Sequence, residues 1–127
     1  MAVVLVAAAA VLASFSSLQL ASATQADPWN IQSAVERFQG AASRLPAEED
    51  LGYISDLPVQ DSNGTLVFLS AQYALAPRLL TPIEDNAPGE AIGNFSKRQD
   101  YAAAGAKAGY RVEADLGNGV ILYRKAK

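Results

Sequence analysis

With no histidine and no cysteine in the chain, any chemistry must come from carboxylates, hydroxyls, amides and cations. That composition excludes a serine–histidine relay, a thiolate nucleophile, an imidazole or thiolate metal site and a disulfide. Two short segments hold the polar residues best placed for a site. Leu51-Gly52-Tyr53-Ile54-Ser55 reads as a strand running into Asp56, and Ala91-Ile92-Gly93-Asn94 reads as a buried strand leading into Phe95-Ser96. Ligands of open α/β sheets bind beyond the carboxyl ends of parallel strands. If these two strands are neighbours, Asp56, Asn94 and a helix start at Ser96 converge on a place suited to a small polar or anionic group. The plainer alternative makes Asp56 and Asn94 turn residues and Ser96 a helix cap.

Arg78, directly after Pro77, is a further candidate. A guanidinium there can grip a carboxylate or phosphate, or pair with a nearby acid such as Glu84 or Asp85. Tyr73 offers a hydroxyl, although a core aromatic with a satisfied OH is the commoner role. Glu48-Glu49-Asp50 is an acidic run of the kind that weakly binds a divalent cation and is more often a solvated turn. Walker A, GxGxxG, GxSxG and EF-hand patterns are all missing. The sequence therefore calls for no catalytic residue, cofactor or metal. A net charge of −3, a pI near 4.8 and scattered cations exclude nucleic acid as a partner.

The elements that would position these residues follow an apolar leader. Residues 1–26 carry no charged side chain, and Ala2–Ala13 is apolar without a break. About twenty helical residues span one hydrocarbon core, which suits a single-pass anchor. A cleaved signal peptide is the rival reading, with Ala21-Ser22-Ala23 as the cleavage site. Either way the remainder is expected on the extracytoplasmic side, tethered to the membrane or secreted after cleavage near Ala23.

Residues 27–46 predict an amphipathic helix, with Asp27 as N-cap, Pro28 at the first position and an apolar face of Ile31, Val35, Phe38, Ala42 and Leu45. Residues 47–127 predict a small α/β domain. Thr65 caps a helix over Leu66–Ala76 whose apolar side is Leu66, Leu69, Tyr73 and Ala76, and Arg78-Leu79-Leu80 is a short strand. Thr81–Gly89 reads as loop. Ser96-Lys97-Arg98-Gln99 is a capping box for an alanine-rich helix that ends at Gly109. Tyr110, Val112, Ala114 and Leu116 alternate with polar residues as one face of a strand, and Gly117-Asn118-Gly119 reverses the chain into Val120–Tyr123. Strand–helix–strand twice, then a hairpin, specifies a mostly parallel mixed sheet with helices on its faces.

The segments GYISDLP (52–58), AQYALAPRLL (71–80), IGNF (92–95) and DLGNGVILYRK (115–125) resemble a group of small, uncharacterised bacterial membrane-anchored proteins. Similar segments occur in extracytoplasmic parts of polytopic, glycosyltransferase-like membrane proteins. The resemblance implies an envelope protein with an N-terminal anchor and an α/β domain, and no catalytic residue. Anchor and resemblance together lead us to expect a non-catalytic binding or accessory module that partners the membrane or a membrane protein. The alternative is an enzyme, or enzyme fragment, acting on lipid-linked sugars with Asp56 as acid or base.

Overall fold

The computed structural model describes residues 30–83 and 87–127. Helix α1 spans Ile31–Ala42 and is followed by β1 (Leu51–Ser55), α2 (Ser62–Leu75) and β2 (Leu80–Pro82). Then come β3 (Glu90–Asn94), α3 (Tyr101–Lys107), β4 (Tyr110–Asp115) and β5 (Val120–Lys125). The strands form one sheet in the order β2-β1-β3-β5-β4. The first three are parallel, with Leu51 opposite Leu80 and Ser55 opposite Asn94, and β5 runs antiparallel to both β3 and β4. The α/β class with a mixed sheet is as the sequence leads one to expect. The leader and the Asp27-Pro28 helix start lie outside the described residues. Among the described residues, no helix is long and apolar enough to cross a membrane.

Alternation along the inner strands sends side chains to two cores. Leu51, Tyr53, Ile92, Val120 and Leu122 meet Phe38 and Ala41 of α1 and Ala71 and Leu75 of α2. On the opposite face Ala91, Ile121 and Tyr123 pack with Phe95, Tyr110 and the Tyr101 and Ala104 side of α3. The second core has a tight point. A methyl added at Gly93 would meet Phe95 Cε2 at 2.6 Å and Tyr123 Cε2 at 2.7 Å, and one at Gly105 would collide with the same tyrosine ring. Two glycines thus let the Tyr123 ring lie between sheet and helix, where its hydroxyl donates to the Tyr101 carbonyl (2.7 Å). Burial, with Tyr101, Asp100 and Asp115 nearby, pushes that hydroxyl up to about 12, so it stays a neutral donor.

Several expectations need correction. The short strand read at Arg78-Leu79-Leu80 is instead Leu80–Pro82, reaching into the stretch read as loop. The buried face of α1 is Ala34, Phe38, Ala41 and then Leu45, while Val35 is exposed. Ala34 and Ala41 on that face let α1 approach its neighbours closely while Phe38 fills the core. Helix α2 begins at Ser62, earlier than Thr65, whose hydroxyl instead donates to the Val59 carbonyl (2.6 Å). The α2 face of Leu66, Leu69 and Tyr73 points outward, at 54%, 54% and 62% exposure, and Ala71 and Leu75 are the fully buried positions. In β4 a bulge shifts the register between Val112 and Ala114. Val112 stands opposite Tyr123 but Ala114 stands opposite Leu122, so Ala114 and Leu116 join the first core and Tyr110 the second. Tyr110, Val112, Ala114 and Leu116 therefore do not share one face.

The glycine pair around Tyr123 generates a prediction. Gly105→Ala gains about 1 kcal/mol of helix propensity yet overpacks the ring, for a net loss of about 1–2 kcal/mol. In a Tyr123→Leu background the same change should cost nothing or stabilise. Urea denaturation of the four chains of this cycle measures the coupling directly.

Candidate functional site

The carboxyl edge of the parallel strands is where the candidate residues meet. Because β1 and β3 are neighbours, Ser55 and Asn94 stand opposite one another, and Asp56 and Phe95-Ser96 follow side by side. The Asp56 carboxylate does not face an open site. It accepts from the Ser96 N–H (2.9 Å), the Ser96 hydroxyl (2.7 Å) and the Lys97 N–H (3.2 Å). Burial acts to raise its pKa, but the Ser96 and Lys97 donors outweigh it and hold the carboxyl below its usual range. Asp56 is therefore an ionised staple joining the end of β1 to the loop after β3.

Those bonds also explain why Ser96 caps no helix. Its hydroxyl is engaged by Asp56, and α3 starts five residues later, capped by Asp100, which accepts from the Ala103 N–H (2.9 Å). The capping box over 96–99 is thus corrected to an Asp100 cap. Asn94 is buried and doubly engaged: its amide donates to the Tyr53 hydroxyl (3.0 Å) and its carbonyl accepts from Arg37 Nη2 (3.0 Å). Arg37 Nη2 donates also to the Phe95 carbonyl (3.1 Å), whereas Arg37 Nε is buried without an acceptor. Burial raises the Tyr53 hydroxyl above its usual value, against the opposing hydrogen bond from Asn94.

Arg78 lies at the other edge of the sheet, where the parallel strands begin, and is not brought together with Asp56, Asn94 and Ser96. It is 7% exposed. Its Nε donates to the Pro46 carbonyl (2.7 Å), and its Nη2 to those of Ala42 (2.9 Å) and Leu45 (2.8 Å). A longer contact from Nη1 reaches the Leu75 carbonyl (3.4 Å). A cation among the carbonyls that end α1 and α2 complements both helix dipoles. The Gln72 side chain bridges the same corner, donating to the Arg78 carbonyl (2.7 Å) and accepting from the Leu80 N–H (2.8 Å). Glu84 and Asp85, the expected ion-pair partners, lie outside the described residues.

Two cavities flank the carboxyl edge. One, of about 760 Å³, runs between α1 and α2 and is lined chiefly by apolar residues, among them Ile31, Phe38, Leu57, Leu66, Leu69 and Tyr73. The other, of about 850 Å³, lies between α1, the loop after β3 and the β4–β5 turn, and includes Arg37, Lys97, Arg98, Glu36 and Asp115. Asn94 and Ser96 line the first and Ser96 also the second, while Asp56 lines neither. Arg37 and Lys97 were not singled out as site residues in the sequence, and the Leu66, Leu69 and Tyr73 side of α2 was read as apolar without its outward direction. Arg37 is an ordinary polar-face residue of α1 until the fold sets it beside Asn94. Among the described residues no cluster of three or more carboxylates stands ready for a metal, and Glu48, Glu49 and Asp50 are simply exposed. No known family model, curated protein or solved structure matches the chain. Fold and edge together define a three-layer α/β domain whose cavities, rather than its most conspicuous carboxylate, are open to a ligand.

Two substitutions test these assignments. Asp56→Ala strands three donors and should lower stability by about 1–2 kcal/mol. Because the folded carboxyl titrates below its usual 3.8, that contribution is complete above this value. It should vanish as pH falls through the folded-state value, so the stabilities of wild type and variant converge in acid. Arg78→Ala should cost at least about 2 kcal/mol, and Arg78→Lys should recover only part, since an ammonium lacks the planar fork. Equal melting of Arg78→Ala and wild type would refute the clamp.

Proposed function

We propose that the chain is a membrane-tethered, non-catalytic binding module, anchored once through residues 1–26, with its α/β domain on the extracytoplasmic side. The observation that carries this reading is the groove between α1 and α2. Its lining includes Asn30, Ile31 and Phe38 of α1 and Leu57, and its rim exposes Leu66, Leu69 and Tyr73. Apolar side chains held outward on successive turns mark a surface that meets another apolar body. The ligand or partner is then a membrane component, in keeping with the envelope proteins that residues 52–125 resemble.

The rival reading, an enzyme acting on lipid-linked sugars through Asp56, has less behind it. A general acid or base needs a proton affinity near working pH and access to its substrate. Asp56 is held in its ionised form by three donors and lines neither cavity.

Fractionation tests the proposal. A reporter enzyme active only outside the cytoplasm, fused after Lys127, should be active and should remain with membranes after an alkaline wash. A soluble product whose N-terminus is Thr24 would establish a cleaved signal peptide and remove the tether.

A further inference from the structure

The two cavities are neighbours. Ser33, Arg37, Phe95 and Ser96 line both, so an apolar groove lies beside a polar one. The polar end carries Arg37, Lys97 and Arg98 against Glu36 and Asp115, an excess of one positive charge on a chain whose net charge is −3. Neither Lys97 nor Arg98 makes an ion pair among the described residues, and Arg37 Nε, at the junction, is buried with no acceptor. The remaining acid of this corner, Asp56, has its oxygens turned to Ser96 and Lys97 N–H and hydroxyl donors. Exposed, unpaired cations beside an apolar groove complement an alkyl chain that ends in an anion.

We propose that the two neighbouring cavities together bind a single-chain anionic lipid, its chain lying along Leu66, Leu69 and Tyr73 and its head group meeting Arg37, Lys97 and Arg98. The apolar rim runs from Leu66 to Tyr73, about 10 Å along α2, the direction in which an alkyl chain would lie. This deepens the membrane-component reading and rests on it for the source of the lipid. The site itself can be tested whether or not the tether exists.

The probe is a dodecyl phosphate carrying a photoreactive group on its chain, added to the full-length protein in phosphatidylcholine nanodiscs, with the crosslinked residues mapped by mass spectrometry. Crosslinks are expected within 66–73 of α2. Unlabelled dodecyl phosphate should compete them away at least about tenfold better than dodecyl maltoside, the same chain with a neutral head. Inorganic phosphate should not compete. Leu69→Glu should abolish the crosslinks, and, Leu69 being more than half exposed, should leave the thermal melt in place. Lys97→Gln with Arg98→Gln should keep them but erase the preference for phosphate over maltoside. Equal competition by maltoside, competition by inorganic phosphate, or crosslinks confined to residues 1–26 would each overturn the proposal. Membrane fractionation of both variants should match wild type, so a lost tether and a lost lipid site give separate readouts.

Discussion

The arrangement of this domain depends on one buried cation among main-chain oxygens. Helices α1 and α2 both end at the edge where the parallel strands begin, and helix ends leave carbonyls without partners. Arg78 satisfies those of Ala42, Leu45, Pro46 and Leu75 with a single guanidinium. Its planar set of donors reaches two helix ends at once, which no shorter or more compact cation can do. With the C-terminal ends of α1 and α2 drawn together there, their opposite ends are set beside Asn94, Phe95 and Ser96, and the channel between them follows. The surface groove is thus a consequence of a bond network at the far edge of the sheet.

The carboxyl edge solves the same problem with an anion. Asp56 gathers the N–H groups of Ser96 and Lys97, so the loop after β3 is held to β1 and not to the helix it precedes. Beside it, Arg37, Asn94 and Tyr53 form a chain of hydrogen bonds from α1 through β3 to β1. Buried polar chains of this kind specify one arrangement of elements, because any other leaves donors unpaired. The unmatched Nε of Arg37 is the point at which this chain remains incomplete.

Much of the sheet was legible because its signals are local. Gly117, Asn118 and Gly119 all adopt left-handed backbone, as a tight reversal requires, and the apolar runs at 51–54, 91–93 and 120–123 are strands on base pattern alone. Strand–helix–strand order made the first strands parallel but left open which were neighbours; the pairing of β1 with β3, and with it the meeting of Asp56 and Ser96, came from the structure. What escaped notice had no local signal. Leu66, Val67, Phe68, Leu69, Ala71 and Tyr73 make α2 apolar nearly all round, so periodicity could not say which side faces the sheet. The structure puts Ala71 and Leu75 inside, with Phe68 against the core, and leaves Leu66, Leu69 and Tyr73 out. Ser96 fitted a capping box as well as Asp100 fitted a cap, and only the long-range bond to Asp56 decided between them. Arg78 pairs with carbonyls, which every residue carries, so no partner could be read from side chains.

The bulge in β4 has an effect beyond turning Ala114 inward. Both outer strands of the sheet are poor templates for another strand. At one side β2 is three residues long and ends in Pro82, which has no N–H to offer. At the other, β4 is broken at Glu113, and the side chain of that extra residue is tied to Arg124 of β5 (2.6 Å). Unpaired sheet edges invite neighbouring molecules to add on, and proline, bulges and charges are the usual defences. Copies of this domain crowded side by side would find no continuous edge along which to polymerise.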